Sequence, residues 1–236
     1  MSDIDGDHTV LELQARWDKI RIANVYDALD QLGYSNQCMD LSIRPLFPGQ
    51  HLAGRALTIR SGRDPRTRQD FIAAGKSWST AEAIDPYLFP GAVIVVESGG
   101  EPVGGKFGEM LCWHLKQGGA KGIVLNSYIR DWLGLKAIPD YTVCAVGTSP
   151  VETLRRWRPH DFNVPIAMPG TLTSQVRVVP GDWVIGGPDG VIVVPQEISM
   201  QVLVKAEAME EEEQGMREDL AAGMSYKDAF KKWGRS

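Results

Sequence analysis

The feature that most restricts the fold of this chain is a strand, glycine turn, helix and strand passage in its central third. Ala92-Val93-Ile94-Val95-Val96 reads as a buried strand, and Gly104-Gly105-Lys106-Phe107-Gly108 is a glycine-rich entry to a helix expected over residues 105–117. Residues 122–125, Gly-Ile-Val-Leu, form a second apolar strand. Two strands joined through a helix imply parallel neighbours in an α/β sheet. Free N–H groups at the start of such a helix can hold an anion. The second strand then runs into Arg130-Asp131, a cation beside a carboxylate just past a strand end, where ligand sites of open α/β sheets tend to lie. Those are the parts needed to bind a 2-oxo acid on a divalent metal.

Elsewhere the pattern is less specific. Leu13, Trp17, Ile20, Val25, Leu29 and Leu32 recur at helical spacing before Gly33, predicting one helix or a broken pair. Residues 51–60 fit a strand, and residues 61–70 a basic, proline-containing loop in which Arg63, Arg66 and Arg68 form a solvated face. Short strands are expected at residues 142–146, 164–168, 172–179, 183–185 and 191–194, separated by Pro-Gly and Gly-Gly-Pro-Asp-Gly turns. A long helix follows over residues 197–223, with Val202, Leu203, Ala206, Met209, Met216 and Leu220 as its apolar positions. Its acidic run, residues 210–213, reads as a solvated face.

Composition narrows the functional classes. With 236 residues, 43% of them hydrophobic and 23% charged, the chain has the make-up of a globular protein able to bury a core. A net charge of −5 argues against wide contact with nucleic acid, which needs a basic face. No apolar run approaches the roughly 20 residues that span a bilayer. The acidic start, Met1-Ser2-Asp3-Ile4-Asp5-Gly6-Asp7, lacks signal-peptide character, so a cytoplasmic location is expected. Cys38, Cys112 and Cys144 lack metal or redox spacing and are read as free thiols. Cys112 and His114, two apart on a helix, do not face each other as a nucleophile and base would.

Two alternative chemistries fail on particular residues. Residues 100–107 nearly match a phosphate loop, yet Phe107 stands where a magnesium-binding hydroxyl belongs and Pro102 interrupts the N–H donors. His8, His51, His114 and His160 are scattered without zinc-site spacing, so oxygen ligands and magnesium or manganese are favoured. Trp132, beside the site, is a candidate pocket wall.

With these residues in hand, the chain resembles the 4-hydroxy-4-methyl-2-oxoglutarate/4-carboxy-4-hydroxy-2-oxoadipate aldolase family, which includes the RraA-like regulators of ribonuclease E. The resemblance runs from about Ala23 to Glu211. It is carried by Tyr26-Asp27-Ala28-Leu29-Asp30, Arg44-Pro45-Leu46-Phe47-Pro48-Gly49, Ala53-Gly54-Arg55-Ala56-Leu57-Thr58, Gly108-Glu109-Met110-Leu111, Arg130-Asp131, Pro180-Gly181-Asp182 and Asp189-Gly190-Val191.

The resemblance implies an α/β domain of the swivelling β/β/α type, an αββα sandwich, with a long C-terminal helix. The expected layout is an N-terminal helical segment over residues 1–22, the RraA-like domain over 23–196 and a helical extension over 197–236. It also implies a homotrimer or a dimer of trimers with sites between subunits, and Mg²⁺ or Mn²⁺ as cofactor. Asp131 is the expected metal ligand and Glu109 a carboxylate holding metal-bound water. One of Glu207, Glu210 and Glu211 would reach in from a neighbouring subunit. Arg130 and the backbone of Gly108, Met110 and Leu111 would bind a small 2-oxo acid. The activity implied is retro-aldol cleavage of 4-hydroxy-2-oxo acids to pyruvate, oxaloacetate decarboxylation, or both. The alternative is an RraA-like protein-binding regulator or a catalytically divergent paralogue. Asn126-Ser127 stands where the family has Asp-Gly, and Gly187 where an acid is expected; Ser127 is expected to occupy a position that suits glycine's positive φ.

Overall fold

The computed structural model describes residues 9–234; the acidic start and His8 lie outside the described residues. In chain order the elements are α1 (Val10–Trp17), α2 (Ile22–Gln31), β1 (Arg44–Pro45), β2 (Leu52–Arg63), α3 (Arg68–Ala73), α4 (Thr80–Ile84), β3 (Ala92–Glu97), α5 (Glu109–Gln117), β4 (Gly122–Leu125) and β5 (Tyr128–Ile129). They continue with α6 (Trp132–Ala137), β6 (Thr142–Ala145), β7 (Gly147–Thr148), β8 (Trp157–Phe162), β9 (Ile166–Met168), β10 (Val176–Val178), β11 (Trp183–Gly187), β12 (Gly190–Val194), α7 (Ser199–Ala221) and α8 (Tyr226–Trp233).

Eight strands make one sheet, in the order β1-β6-β4-β3-β2-β11-β12, with β8 also on β2. β2, β3, β4 and β6 run parallel; of these the β3–β4 pair is the one the central passage predicts. β2 is long enough to serve two neighbours on one edge: residues 52–55 pair with β11 and residues 59–63 with β8, across a register shift between Arg60 and Ser61. The sheet curls until it nearly closes.

Period-two alternation sends successive side chains of each strand into different cores. Val93, Val95, Val124, Cys144, Val184, Val191 and Val193 point inward, where the β9–β10 ribbon adds Ile166, Met168, Val176 and Val178. On the outer face Ile94, Val96, Ile123, Leu125 and Val143 pack under α5 and α6 through Cys112, Leu115 and Leu135. Further along that face Trp183, Ile185, Ile192 and Val194 meet Leu13 and Trp17 of α1, Val25 and Leu29 of α2, and Val202, Leu203 and Ala206 of α7. Each fully buried side chain of this size contributes roughly 1.5–3 kcal/mol of transfer free energy.

The N-terminal apolar pattern is a broken pair of helices. α1 starts at a reciprocal capping box, in which the Glu12 N–H donates to the Thr9 hydroxyl (3.2 Å) and the Thr9 N–H to the Glu12 carboxylate (2.7 Å). α7 is a single long helix whose first half buries Val202, Leu203, Ala206 and Met209. Leu220, expected on its apolar face, is exposed. α8 folds back on α7, laying the Trp233 ring over Gly215, where a Cβ would come within 2.6 Å of it. Among the described residues no helix is long and apolar enough to cross a membrane.

Three sequence expectations need correction. α5 begins at Glu109 rather than residue 105, because Gly105 is drawn into bridges with Tyr128 and Glu152. The basic loop is shorter than expected: β2 extends to Arg63 and α3 begins at Arg68 under a Thr67 cap. Arg66 is not simply solvated either, since it forks onto Asp64 at 2.6–3.1 Å.

Candidate active site

The site is built on backbone beyond the carboxyl ends of β3 and β4. β5 is clasped between the glycine-rich entry and the segment after β7. The Lys106 N–H donates to the Tyr128 carbonyl (2.9 Å), the Arg130 N–H to the Phe107 carbonyl (3.0 Å) and the Ser149 N–H to the Ile129 carbonyl (2.9 Å). Gly105 is needed there: a Cβ would lie 2.5 Å from the Ser149 carbonyl oxygen and 2.7 Å from Arg130 Cβ. These bonds fix the Arg130 backbone against the start of α5.

Asp131 is the N-cap of α6 and holds φ 66°, ψ 47°, a left-handed conformation that aspartate tolerates better than most residues. Its Oδ2 accepts the Glu109 N–H at 3.2 Å, so the carboxylate also faces the first turn of α5. Arg130 Nε stands 3.5 Å from Asp131 Oδ1, and Arg130 Nη1 3.7 Å from Glu152 Oε1. Arg130 Nε is buried without a hydrogen-bond partner, a donor held ready for another acceptor.

Arg130 and Asp131 line one open cleft of about 300 Å³ together with Gly108, Met110 and Leu111. Met110 and Leu111, at the second and third positions of α5, present first-turn N–H groups at this wall. Thr80, Glu152, Trp157 and Arg158 close the other side and were not anticipated. Trp132 does not wall the cleft. Its ring packs on Phe47 with centroids 5.2 Å apart.

Beneath the cleft Lys106 is fully buried and bonds to Glu101 Oε2 at 2.7 Å, with the Glu101 and Gly104 carbonyls at 2.9 and 3.0 Å. Burial alone would raise Glu101. The Lys106 hydrogen bond and the N–H groups of Gly104 and Val103 outweigh it and hold the carboxyl below its usual range. A lysine so engaged is no phosphate-loop lysine, and Phe107 beside it is wholly buried.

Glu109 reaches the site through its N–H, while its carboxylate lies over Gly134 of α6, where a Cβ would come within 1.9 Å. Glu207, Glu210 and Glu211 lie on α7, and none lines the cleft of the same chain. Glu207 forks onto Arg16 at 2.6–2.7 Å. Burial raises Glu210, and donors from Arg21, Asn24 and Arg217 more than reverse it.

Asn126 and Ser127 sit beside the site loop. Asn126 Oδ1 accepts the Ser98 N–H at 2.8 Å, tying β4 to the end of β3. Ser127 does not have the positive φ expected of a glycine replacement, so its Cβ brings no backbone strain. Gly187 ends β11 at the turn to β12, where a Cβ would come within 2.7 Å of Ile22.

The donor set suits a hard cation that keeps most of its water. Among the described residues no three His, Cys, Asp or Glu side chains gather as a cage. Asp131 is 44% exposed and free to offer a single carboxylate oxygen, which Mg²⁺ accepts more readily than zinc does.

Fold and cleft together define a mixed α/β protein with a guanidinium–carboxylate pair at the mouth of a parallel strand set. The chain belongs to the RraA-like family, Aldolase/RraA, whose model matches residues 22–193. It is 29% identical over 182 residues to a protein of Halalkalibacterium halodurans named "Putative 4-hydroxy-4-methyl-2-oxoglutarate aldolase", covering 77% of this chain and 76% of that one. A protein of Ectopseudomonas mendocina assigned the same name is 34% identical over 110 residues, 47% of this chain and 64% of its own. Among solved structures, RraAS2 of Streptomyces coelicolor, described as an unusual member of the RNase ES inhibitor RraA family, superposes with TM-score 0.70 at 24% identity, covering 87% of this chain and 96% of that one. An uncharacterized protein from Pseudomonas syringae pv. tomato superposes with TM-score 0.75 at 22% identity over 93% and 96% of the two chains. The fold is thus the RraA fold, and the family model places the chain in the Aldolase/RraA family.

Proposed function

We propose that this protein is a divalent-metal-dependent lyase that cleaves 4-hydroxy-2-oxo acids to pyruvate and decarboxylates oxaloacetate through the same enolate. The observation that carries this reading is the shared cleft of Arg130, Asp131 and the first turn of α5. Asp131 would hold Mg²⁺ or Mn²⁺, which when bound supplies Lewis acidity to the 2-oxo group. In cleavage the C4 hydroxyl loses its proton and becomes a carbonyl, the C3–C4 bond breaks, and its electron pair passes to C3 as an enolate that is later protonated.

Arg130 answers the charge that develops. Its planar guanidinium fork would donate to the enolate oxygen, an interaction that strengthens as charge builds. The Met110 and Leu111 N–H groups would donate to the substrate carboxylate, aided by the positive end of α5. The left-handed backbone at Asp131 is strain retained where it aims the carboxylate. The assembly that fits this reading is a homotrimer or dimer of trimers, in which Glu207, Glu210 or Glu211 of one subunit would approach the cleft of the next.

Protein treated with EDTA and then given Mg²⁺ or Mn²⁺ should release pyruvate from oxaloacetate and from 4-hydroxy-4-methyl-2-oxoglutarate only in the presence of metal. No metal-dependent release from either compound would leave the regulator or a divergent paralogue as the better reading.

A further inference from the structure

Trp157 lines the Arg130 cleft and is held from a point outside it. It opens β8, an edge strand bonded along one side to β2, and stands opposite Arg63 at the end of that pairing. The residue is 4% exposed, with its ring 6.0 Å from the buried Phe107 ring and Lys106 Nζ 5.7 Å from its centroid. Apolar packing fills space with little sense of direction. A hydrogen bond is directional, and Trp157 Nε1 donates one to the Ser98 carbonyl at 3.0 Å.

Ser98 is in turn held by Asn126. It follows β3 and is 2% exposed. Its N–H and its hydroxyl both donate to Asn126 Oδ1, the N–H at 2.8 Å. The next two residues, Gly99 and Gly100, hold positive φ and bring no side chain to steady the turn. A single amide oxygen therefore fixes Ser98 by backbone and side chain together, and Ser98 carries the carbonyl that anchors the indole. Asn126 itself follows β4 and lines a separate cavity of about 180 Å³ with Glu101 and Ser127, not the Arg130 cleft.

We propose, on the lyase reading above, that Asn126 is a positioning residue: acting through Ser98 it holds the Trp157 indole as a wall of the cleft, and so sets substrate affinity from outside the cleft. Arg130 and Asp131 are held by other bonds, the Arg130 N–H by the Phe107 carbonyl and the Asp131 carboxylate by the Glu109 N–H. Loss of the Asn126 acceptor thus loosens the wall and leaves the charged pair in place. The effect falls on binding rather than on the chemical step. An aspartate at this position would offer the same accepting oxygen, so the departure from the family at Asn126 keeps the tie and removes a charge from the cavity that Glu101 lines.

The indole N–H resonance of Trp157, assigned through Trp157→Phe, reads the tie without turnover. Asn126→Ala should move it, and Asn126→Asp should leave it at the wild-type position. If Asn126→Ala does not fold, Ser98→Ala removes the hydroxyl donor alone and should move the resonance in the same direction. In kinetics with oxaloacetate, Asn126→Ala should raise KM about tenfold with little change in kcat, and Asn126→Asp should keep the wild-type KM. In a Trp157→Phe background, whose ring has no N–H to hold, Asn126→Ala should raise KM no further; a residue that merely supported the fold would add its effect in both backgrounds. An unmoved resonance in Asn126→Ala, or a KM rise that adds in full to that of Trp157→Phe, would overturn the proposal and leave the lyase intact. A wild type that releases no pyruvate would remove the lyase reading, and the resonance would still decide whether Asn126 holds Trp157.

Discussion

Gly108 and Asp131 occupy one another's space: a Cβ on Gly108 would stand 2.5 Å from Asp131 Oδ2. The glycine is therefore what lets the carboxylate reach the Glu109 N–H at the head of α5. Its own φ of −103° is open to any residue, so the constraint is one of space rather than of backbone conformation. Gly108→Ala should displace the Asp131 carboxylate, lower pyruvate release by about 10²-fold and leave the thermal midpoint nearly unchanged. Kinetics and calorimetry on the same preparation check this; full activity would show that the carboxylate can move without consequence.

Arg130 is 34% exposed at its side chain, and its Nε, though 3.5 Å from Asp131 Oδ1, has no hydrogen-bond partner. Lysine keeps the charge but loses the planar fork, so Arg130→Lys should reduce kcat by about 10²–10³-fold with a smaller effect on KM. Steady-state kinetics with oxaloacetate separates the two parameters.

The Glu101–Lys106 pair under the site loop sets a stability dependence on pH. Glu101 is held below the usual carboxylate range, so its contribution is complete above that range and disappears as pH falls through the depressed folded value. Glu101→Gln leaves the Lys106 ammonium buried beside a neutral group and should cost about 3 kcal/mol at neutral pH. Urea titrations of variant and wild type should converge on acidification; a gap that stays constant with pH would exclude the ion pair as its source.

Burial pushes the Cys112 thiol up to about 12 and Cys144 further still, so neither is a nucleophile at neutral pH. Cys38 is only half-buried. Iodoacetamide at pH 8 should label Cys38 first and reach the other two only after unfolding, as peptide mass spectrometry would show. His114, two residues from Cys112, instead stands 2.5 Å from Asp85.

What was legible in the sequence was what depends on neighbours along the chain. The parallel β3, α5 and β4 unit, the break between α1 and α2 and the long α7 all follow from apolar periodicity and glycine punctuation. Arg130 and Asp131 stood out because they follow a buried strand. β8 escaped notice because Trp157-Arg158-Pro159-His160-Asp161-Phe162 carries a proline and three ionisable residues, a pattern tolerated only along the free far end of β2. With β8 went Trp157 and Arg158, and no local signal could have brought Thr80 or Glu152 to the cleft, since tertiary packing alone does that. The helix boundary at residue 105 failed for a related reason: Gly105 pairs with Tyr128 and Glu152, which lie 23 and 47 residues away along the chain.

The most direct test is metal-dependent pyruvate release by Asp131→Asn beside wild type, with Mn²⁺ binding followed on both by electron paramagnetic resonance. The lyase account predicts that the amide variant folds normally, binds Mn²⁺ far more weakly and releases no pyruvate above background from oxaloacetate or 4-hydroxy-4-methyl-2-oxoglutarate. Wild-type rates and wild-type Mn²⁺ affinity in that variant would contradict it.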